Sequence, residues 1–138
     1  MPQKTAQTTG HITKINGPVV DVEFSRDDTL PHIYHALHVD TGGDTPLTLE
    51  VLRQLGGNVV RAVAMDSTDG LQRGQNVQAT GKPITVPVGK PVLGRMFNVT
   101  GDPIDNKPAP DTDTYAPIHQ EAPELSEQSQ STEMLETG

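Results

Sequence analysis

Residues 47–74 read LTLEVLRQLGGNVVRAVAMDSTDGLQRG. Leu47, Leu49 and Val51 alternate with Thr48, Glu50 and Leu52, the period of a strand with one buried face. Gly56-Gly57-Asn58 then interrupts the run with residues that accept a positive φ. Val59, Arg61, Val63 and Met65 next alternate with Val60, Ala62 and Ala64. Both faces of this second strand are apolar apart from Arg61, so it is expected to be the most enclosed of the chain. Asp69-Gly70 and Gly74 close the stretch with turn chemistry.

The same texture extends outward in both directions. Upstream, Val20, Val22 and Phe24 alternate with Asp21, Glu23 and Ser25, preceded by Ile12 and Ile15 and a break at Asn16-Gly17-Pro18. Ile33, His35, Leu37 and Val39 form another alternation, flanked by Asp27-Asp28 and Gly42-Gly43-Asp44. Downstream, Val77 and Ala79 complete the series. The spacing predicts strands over 10–15, 19–25, 32–40, 47–53, 58–65 and 76–80, after a frayed segment 1–8. A module of roughly 70 residues has too few strands for a sandwich, whereas closure into a barrel leaves no exposed edge. An all-β fold is therefore expected, with a small six-stranded closed β-barrel over residues 9–82. Its first and last strands should meet, and Val20, Val22, Leu37, Leu49, Val51, Val60 and Ala62 should be buried.

Past Lys82 the composition changes. Eight of the twelve prolines fall between Pro83 and Pro123, and proline interrupts helices and central strands alike. One compact apolar piece remains, VLGRMFNVTGDPID from Val92 to Asp105. Residues 106–138 carry one lysine against seven acids, whereas residues 1–105 carry nine basic and eleven acidic side chains. That balance leaves no basic footprint for nucleic acid. The absence of cysteine removes disulfides, thiol nucleophiles and thiolate metal sites. No stretch approaches the ~18 apolar residues of a membrane span, and MPQKTAQTTG lacks the apolar run of a secretory signal.

The ordered series of segments resembles one family, the beta (catalytic) subunit of the rotary proton-translocating ATP synthase. The resemblance runs through GHITKINGPVVDVEF (Gly10–Phe24), LPHIYHALHV (Leu30–Val39), Leu47–Gly74, TGKPITVPVG (Thr80–Gly89), LGRMFNVTGDPID (Leu93–Asp105), PIHQEAP (Pro117–Pro123) and ETG (Glu136–Gly138). Met65-Asp66-Ser67-Thr68-Asp69-Gly70-Leu71 resembles a stretch that separates the beta subunit from its alpha relative. Residues 124–133, Gly42–Pro46 and Thr100 depart from the family's usual pattern. The resemblance implies a barrel that joins alternating alpha and beta barrels in a crown. It also implies that residues 83–138 are a truncated, largely irregular beginning of the nucleotide-binding domain, ending before the phosphate-binding loop. Reading the DNA beyond codon 138 tests this, since an in-frame Gly-rich loop there would settle the reading.

Several residues invite a sharper chemical reading. A phosphate loop needs G-x-x-x-x-G-K-[ST], so that backbone amides wrap the phosphates. Gly81-Lys82 and Gly89-Lys90 are each followed by proline and lack the upstream glycine, and both are read as turns. His32, His35 and His38 suggest a metal. On a strand, however, His32 and His38 share a face and His35 points away, so they do not converge. Glu124-Leu125-Ser126-Glu127 resembles the family's acidic lever sequence, but that lies near the far end of the family's chain, and a solvated acidic connector accounts for it. Asn98-Val99-Thr100 fits a glycosylation acceptor, which requires secretion. Asp21/Glu23 and Asp27/Asp28 read as an exposed strand face and a turn rather than acid–base pairs. Arg95 reads as structural, its stem packed near Phe97.

No catalytic, cofactor-binding or metal-binding residue is assigned. By resemblance, the intact subunit makes ATP from ADP and phosphate, binds Mg-ATP/ADP and is coupled to proton transport. Its partners are alpha subunits on both sides. The complex is peripheral to the membrane, on the cytoplasmic face in a bacterium or the matrix or stroma face in an organelle. The piece read here would contribute assembly and no catalysis of its own. The alternative is a stand-alone, non-catalytic barrel that binds subunits or ligands. Its RNA-binding version, as in a related transcription terminator, is disfavoured by the charge and by the shortage of stacking aromatics.

Overall fold

The computed structural model describes residues 8–43, 45–128 and 134. The frayed segment expected over 1–8, apart from Thr8, lies outside the described residues, as do Asp44, 129–133 and the ETG end at 136–138. The strands are β1 (Thr9–Asn16), β2 (Val19–Phe24), β3 (His35–Val39), β4 (Leu47–Gly56), β5 (Val59–Ala64), β6 (Asn76–Pro83), β7 (Thr85–Pro87) and β8 (Tyr115–Pro117).

The first six strands close into a barrel in the order β1-β2-β5-β4-β3-β6, every neighbouring pair antiparallel. Closure comes where β1 meets β6, with Gly10 opposite Val77 and Thr9 opposite Gln78. Gly10 is also a spacing requirement, on the β2 side of β1. A side chain there would come within 2.8 Å of the Glu23 carbonyl oxygen and 2.9 Å of the Phe24 ring.

Alternation decides what fills the barrel. Ile12, Val20, Val22, Leu37, Val39, Leu49, Val51, Val60, Ala62 and Val77 point inward and are essentially sealed from solvent, with Phe24 and Leu47 completing the core. All seven interior residues expected from the sequence are among them. Each buried Val or Leu contributes about 1.5–3 kcal/mol relative to exposure, which lets a small module hold together without a large aromatic core.

Two expectations about the strands are corrected. The most enclosed strand is β2 rather than β5, because Val20, Asp21 and Val22 are all buried whereas the outward residues of β5 remain half-exposed. The cause is a charged pair on the outer face, described below. The third strand starts at His35 rather than 32. Tyr34 adopts φ +68 and the His35 amide bonds back to the His32 carbonyl at 3.1 Å, so 32–35 is a turn. The Tyr34 amide donates to the Val51 carbonyl at 2.8 Å, anchoring that turn to β4.

The chain divides into two compact units, 1–84 and 85–138. In the second, β7 and β8 form a two-stranded ribbon, with Thr85 opposite Pro117 and Pro87 opposite Tyr115. The sequence reading did not anticipate this ribbon. Proline is tolerated in it because neither strand has a further neighbour to which a missing N–H would matter. Two short 3₁₀ turns, Lys90–Val92 and Leu125–Glu127, are the other regular elements described there.

Candidate functional site

The outer face of the barrel is built around one buried carboxylate. Register places Asp21 of β2 opposite Arg61 of β5. The guanidinium grips it with both prongs, Nε to Oδ1 at 2.7 Å and Nη2 to Oδ2 at 2.9 Å. The Asp21 side chain is 9% exposed and that of Arg61 is 35% exposed. The Arg61 hydrogen bonds hold the Asp21 carboxyl below the usual carboxylate range, and the nearby Lys14 adds to the effect. Asp21 was expected on an exposed face. The Arg61 guanidinium meets both of its carboxylate oxygens, and the burial of Asp21 is what makes β2 the most enclosed strand. The available signal was an arginine alone on the otherwise apolar β5 and an aspartate on β2, a strand that also carries Glu23.

The histidines do not assemble as a strand would arrange them. The 32–35 turn brings His32 and His35 together edge-on, ring centroids 5.1 Å apart, although the sequence reading had His35 pointing away. His38 lies on β3 facing Gln78 of β6, beside an open groove of about 490 Å³ also lined by Asp40, Gly43, Pro46, Asn76 and Gln78. Burial pushes both His35 and His38 below the ordinary histidine value, and the neighbouring charges of His32 and Lys82 push the same way. Among the described residues no three His, Cys, Asp or Glu side chains converge as metal ligands.

The two Gly-Lys pairs have different roles. Gly89 precedes the 3₁₀ turn Lys90–Val92, as a turn glycine should. Gly81-Lys82, read as a turn, lies instead inside β6 at an irregularity in its pairing with β3. Gly81 takes φ +73 there, the left-handed conformation that a bulge asks of glycine. Thr80 Oγ1 fixes the distortion, donating to the Ala36 carbonyl at 2.8 Å and accepting from the Lys82 amide at 3.3 Å.

In the second unit Arg95 is held by Asp105, Nε to Oδ2 at 2.5 Å, and donates to the Pro108 carbonyl at 2.7 Å. Its guanidinium carbon sits 5.6 Å from the centre of the Phe97 ring. The contact with Phe97 follows the sequence expectation, whereas the Asp105 partner was not foreseen. The Arg95 hydrogen bond drives the Asp105 carboxyl far below its ordinary value. The Asn98 side chain is occupied within its own turn: Oδ1 accepts from the Asp102 amide at 2.8 Å and Nδ2 donates to the Asp102 carboxylate at 3.0 Å. Glu124–Glu127 is an exposed 3₁₀ turn closed by a reciprocal capping box. Both arrangements stabilise local turns.

Residues 12–81 match the family described as ATP synthase alpha/beta family, beta-barrel domain. That segment spans most of β1 and continues into β6, and it covers half of the chain. The chain belongs to the ATP synthase alpha/beta family. An ATP synthase alpha/beta barrel of this kind is a component of the hexameric assembly in a membrane-peripheral complex. No helix among the described residues is long and apolar enough to cross a membrane.

Proposed function

We propose that this chain is the N-terminal portion of a beta-type subunit, with residues 9–82 as its crown barrel and 83–138 as the beginning of its nucleotide-binding domain. The barrel's role is assembly: it takes a place in the ring between two alpha subunits. The intact subunit would make ATP from ADP and phosphate, with Mg²⁺ as the nucleotide's counter-ion, driven by proton transport through the complex. The observation that supports the beta assignment is the segment Met65–Leu71, which resembles the beta rather than the alpha pattern. It forms a folded connection between β5 and β6, with Thr68 Oγ1 donating to the Gly17 carbonyl at 2.9 Å and the Ser67 amide to Asp66 Oδ1 at 2.7 Å.

Residues 1–138 contain no G-x-x-x-x-G-K-[ST] run. Phosphoryl transfer depends on electrostatic stabilisation by such a loop, its lysine and Mg²⁺. The one arginine of the second unit, Arg95, is committed to Asp105 and Pro108. This polypeptide alone is therefore expected to release no phosphate from MgATP above background. Co-sedimentation with purified ATP synthase alpha subunit tests the assembly role, and association at micromolar concentration is the expected result. No association would sink the role, and turnover in a preparation free of full-length subunit would reveal an unrecognised site.

A further inference from the structure

The outer face of the barrel carries more positive charge than its fold uses. Across the β4–β5 ladder, Arg53 stands directly opposite Arg61. Like charges at facing cross-strand positions destabilise a sheet. The row continues over the next ladders, Arg61 facing Asp21 and Asp21 facing Lys14. Four adjacent strands thus carry three cations and one anion at one level. Arg61 occupies both carboxylate oxygens of that anion. Arg53 is exposed and has no hydrogen-bond or ion-pair partner among the described residues.

The surroundings of Arg53 are equally costly to a free barrel. The β4 ladder is irregular between Val51 and Arg53 and again between Gln54 and Gly56. Leu52 and Leu55 fall at these irregularities, 51% and 42% exposed. An uncompensated guanidinium between two exposed leucines contributes nothing to the barrel's own stability. It does match the make-up of a subunit contact, where arginine anchors and apolar side chains are enriched and are covered on association.

The geometry points to Arg53, flanked by Leu52 and Leu55, as the anchor of the barrel's contact with a neighbouring subunit that presents a carboxylate set among apolar side chains. This rests on the assembly role proposed above and names the face and the partner chemistry. Charge complementarity selects the partner: a carboxylate satisfies the guanidinium with two parallel hydrogen bonds and offsets the Arg53–Arg61 repulsion. A polyphosphate would instead meet the outward Glu50, which lies opposite Val63 on the same ladder.

The test is a set of variants of the full 138-residue chain: Arg53→Gln, Arg53→Glu and, as a control at the opposite end of the barrel, Arg73→Gln. Binding to purified ATP synthase alpha subunit is measured by sedimentation at low and high salt, with a thermal melt of each variant alone. Arg53→Gln is expected to bind about tenfold more weakly and with a shallower salt dependence, and Arg53→Glu more weakly still. Arg53→Glu should melt no lower than the parent, because it replaces a like-charge pair with an opposite one. That combination of unchanged or raised melting temperature with lost binding separates a contact residue from a structural one. Parent-like affinity in both Arg53 variants, or an equal loss in Arg73→Gln, overturns the inference while leaving the assembly role standing. Failure of the parent chain itself to bind overturns that role and this inference with it.

Discussion

The Asp21–Arg61 pair shows how one residue sets the character of a strand. A carboxylate this covered is tolerated only because both oxygens are hydrogen-bonded, so removing one partner leaves the other charge stranded. Arg61→Gln should lower the melting temperature, as should Asp21→Asn. The joint replacement Asp21→Val/Arg61→Val, in line with the neighbouring Val19–Val63 pair, should recover much of the loss. The sign of the pH effect follows from the lowered Asp21 pKa. Stability from this pair is fully present above the unfolded carboxyl value near 3.8 and is lost as pH falls through the lower folded value. Melts from pH 7 downward should therefore show a steeper acid decline in the parent than in the double-valine variant. In the core, Leu49→Ala removes a sealed side chain and should cost about 2–5 kcal/mol by denaturant titration.

Among the elements, β6 carries the most informative irregularity. Gly81 at φ +73 lets the strand bulge while Thr80 ties the two sides of the distortion together. Gly81→Val should destabilise the barrel by about 1–2 kcal/mol, the cost of left-handed backbone for a branched residue. An effect below the error of a denaturant titration would show that the bulge relaxes. The six barrel strands were legible because each interior residue sits at period two between turn residues, from Val20 and Val22 to Val60 and Ala62. Where the reading failed, a non-local contact overrode local pattern. Nothing in the sequence near His35 says that the Tyr34 amide will bond Val51 and delay the start of the strand. Nothing near Gly81 reveals the register with β3 that turns an apparent loop into a bulge. The ribbon of β7 and β8 pairs residues some thirty positions apart, and its prolines hid it. The Asp21–Arg61 pairing was half-visible: both residues stood out, but pairing them required the strand order.

For the whole molecule, the contrast between the two units gives the clearest expectation. The barrel has a sealed core, whereas the regular elements described after Ile84 are three-residue pieces. Amide exchange should find the slowest protons in β2, β4 and β5 and fast exchange over 106–128 apart from the short ribbon strand. Strong protection throughout 120–128 would contradict this.

The seam between β1 and β6 has one more implication. Thr9 lies beside Gln78, and the Ala79 amide bonds the Thr8 carbonyl at 2.9 Å. The place where the barrel's chain enters is thus next to the strand by which it leaves, and the ring of strands has no intrinsic beginning. A short linker could join those ends while a new break is made at the exposed Thr41–Gly43 connection. The same hydrogen-bonded circle would then be written from a different first residue, with its cyclic order of neighbours unchanged.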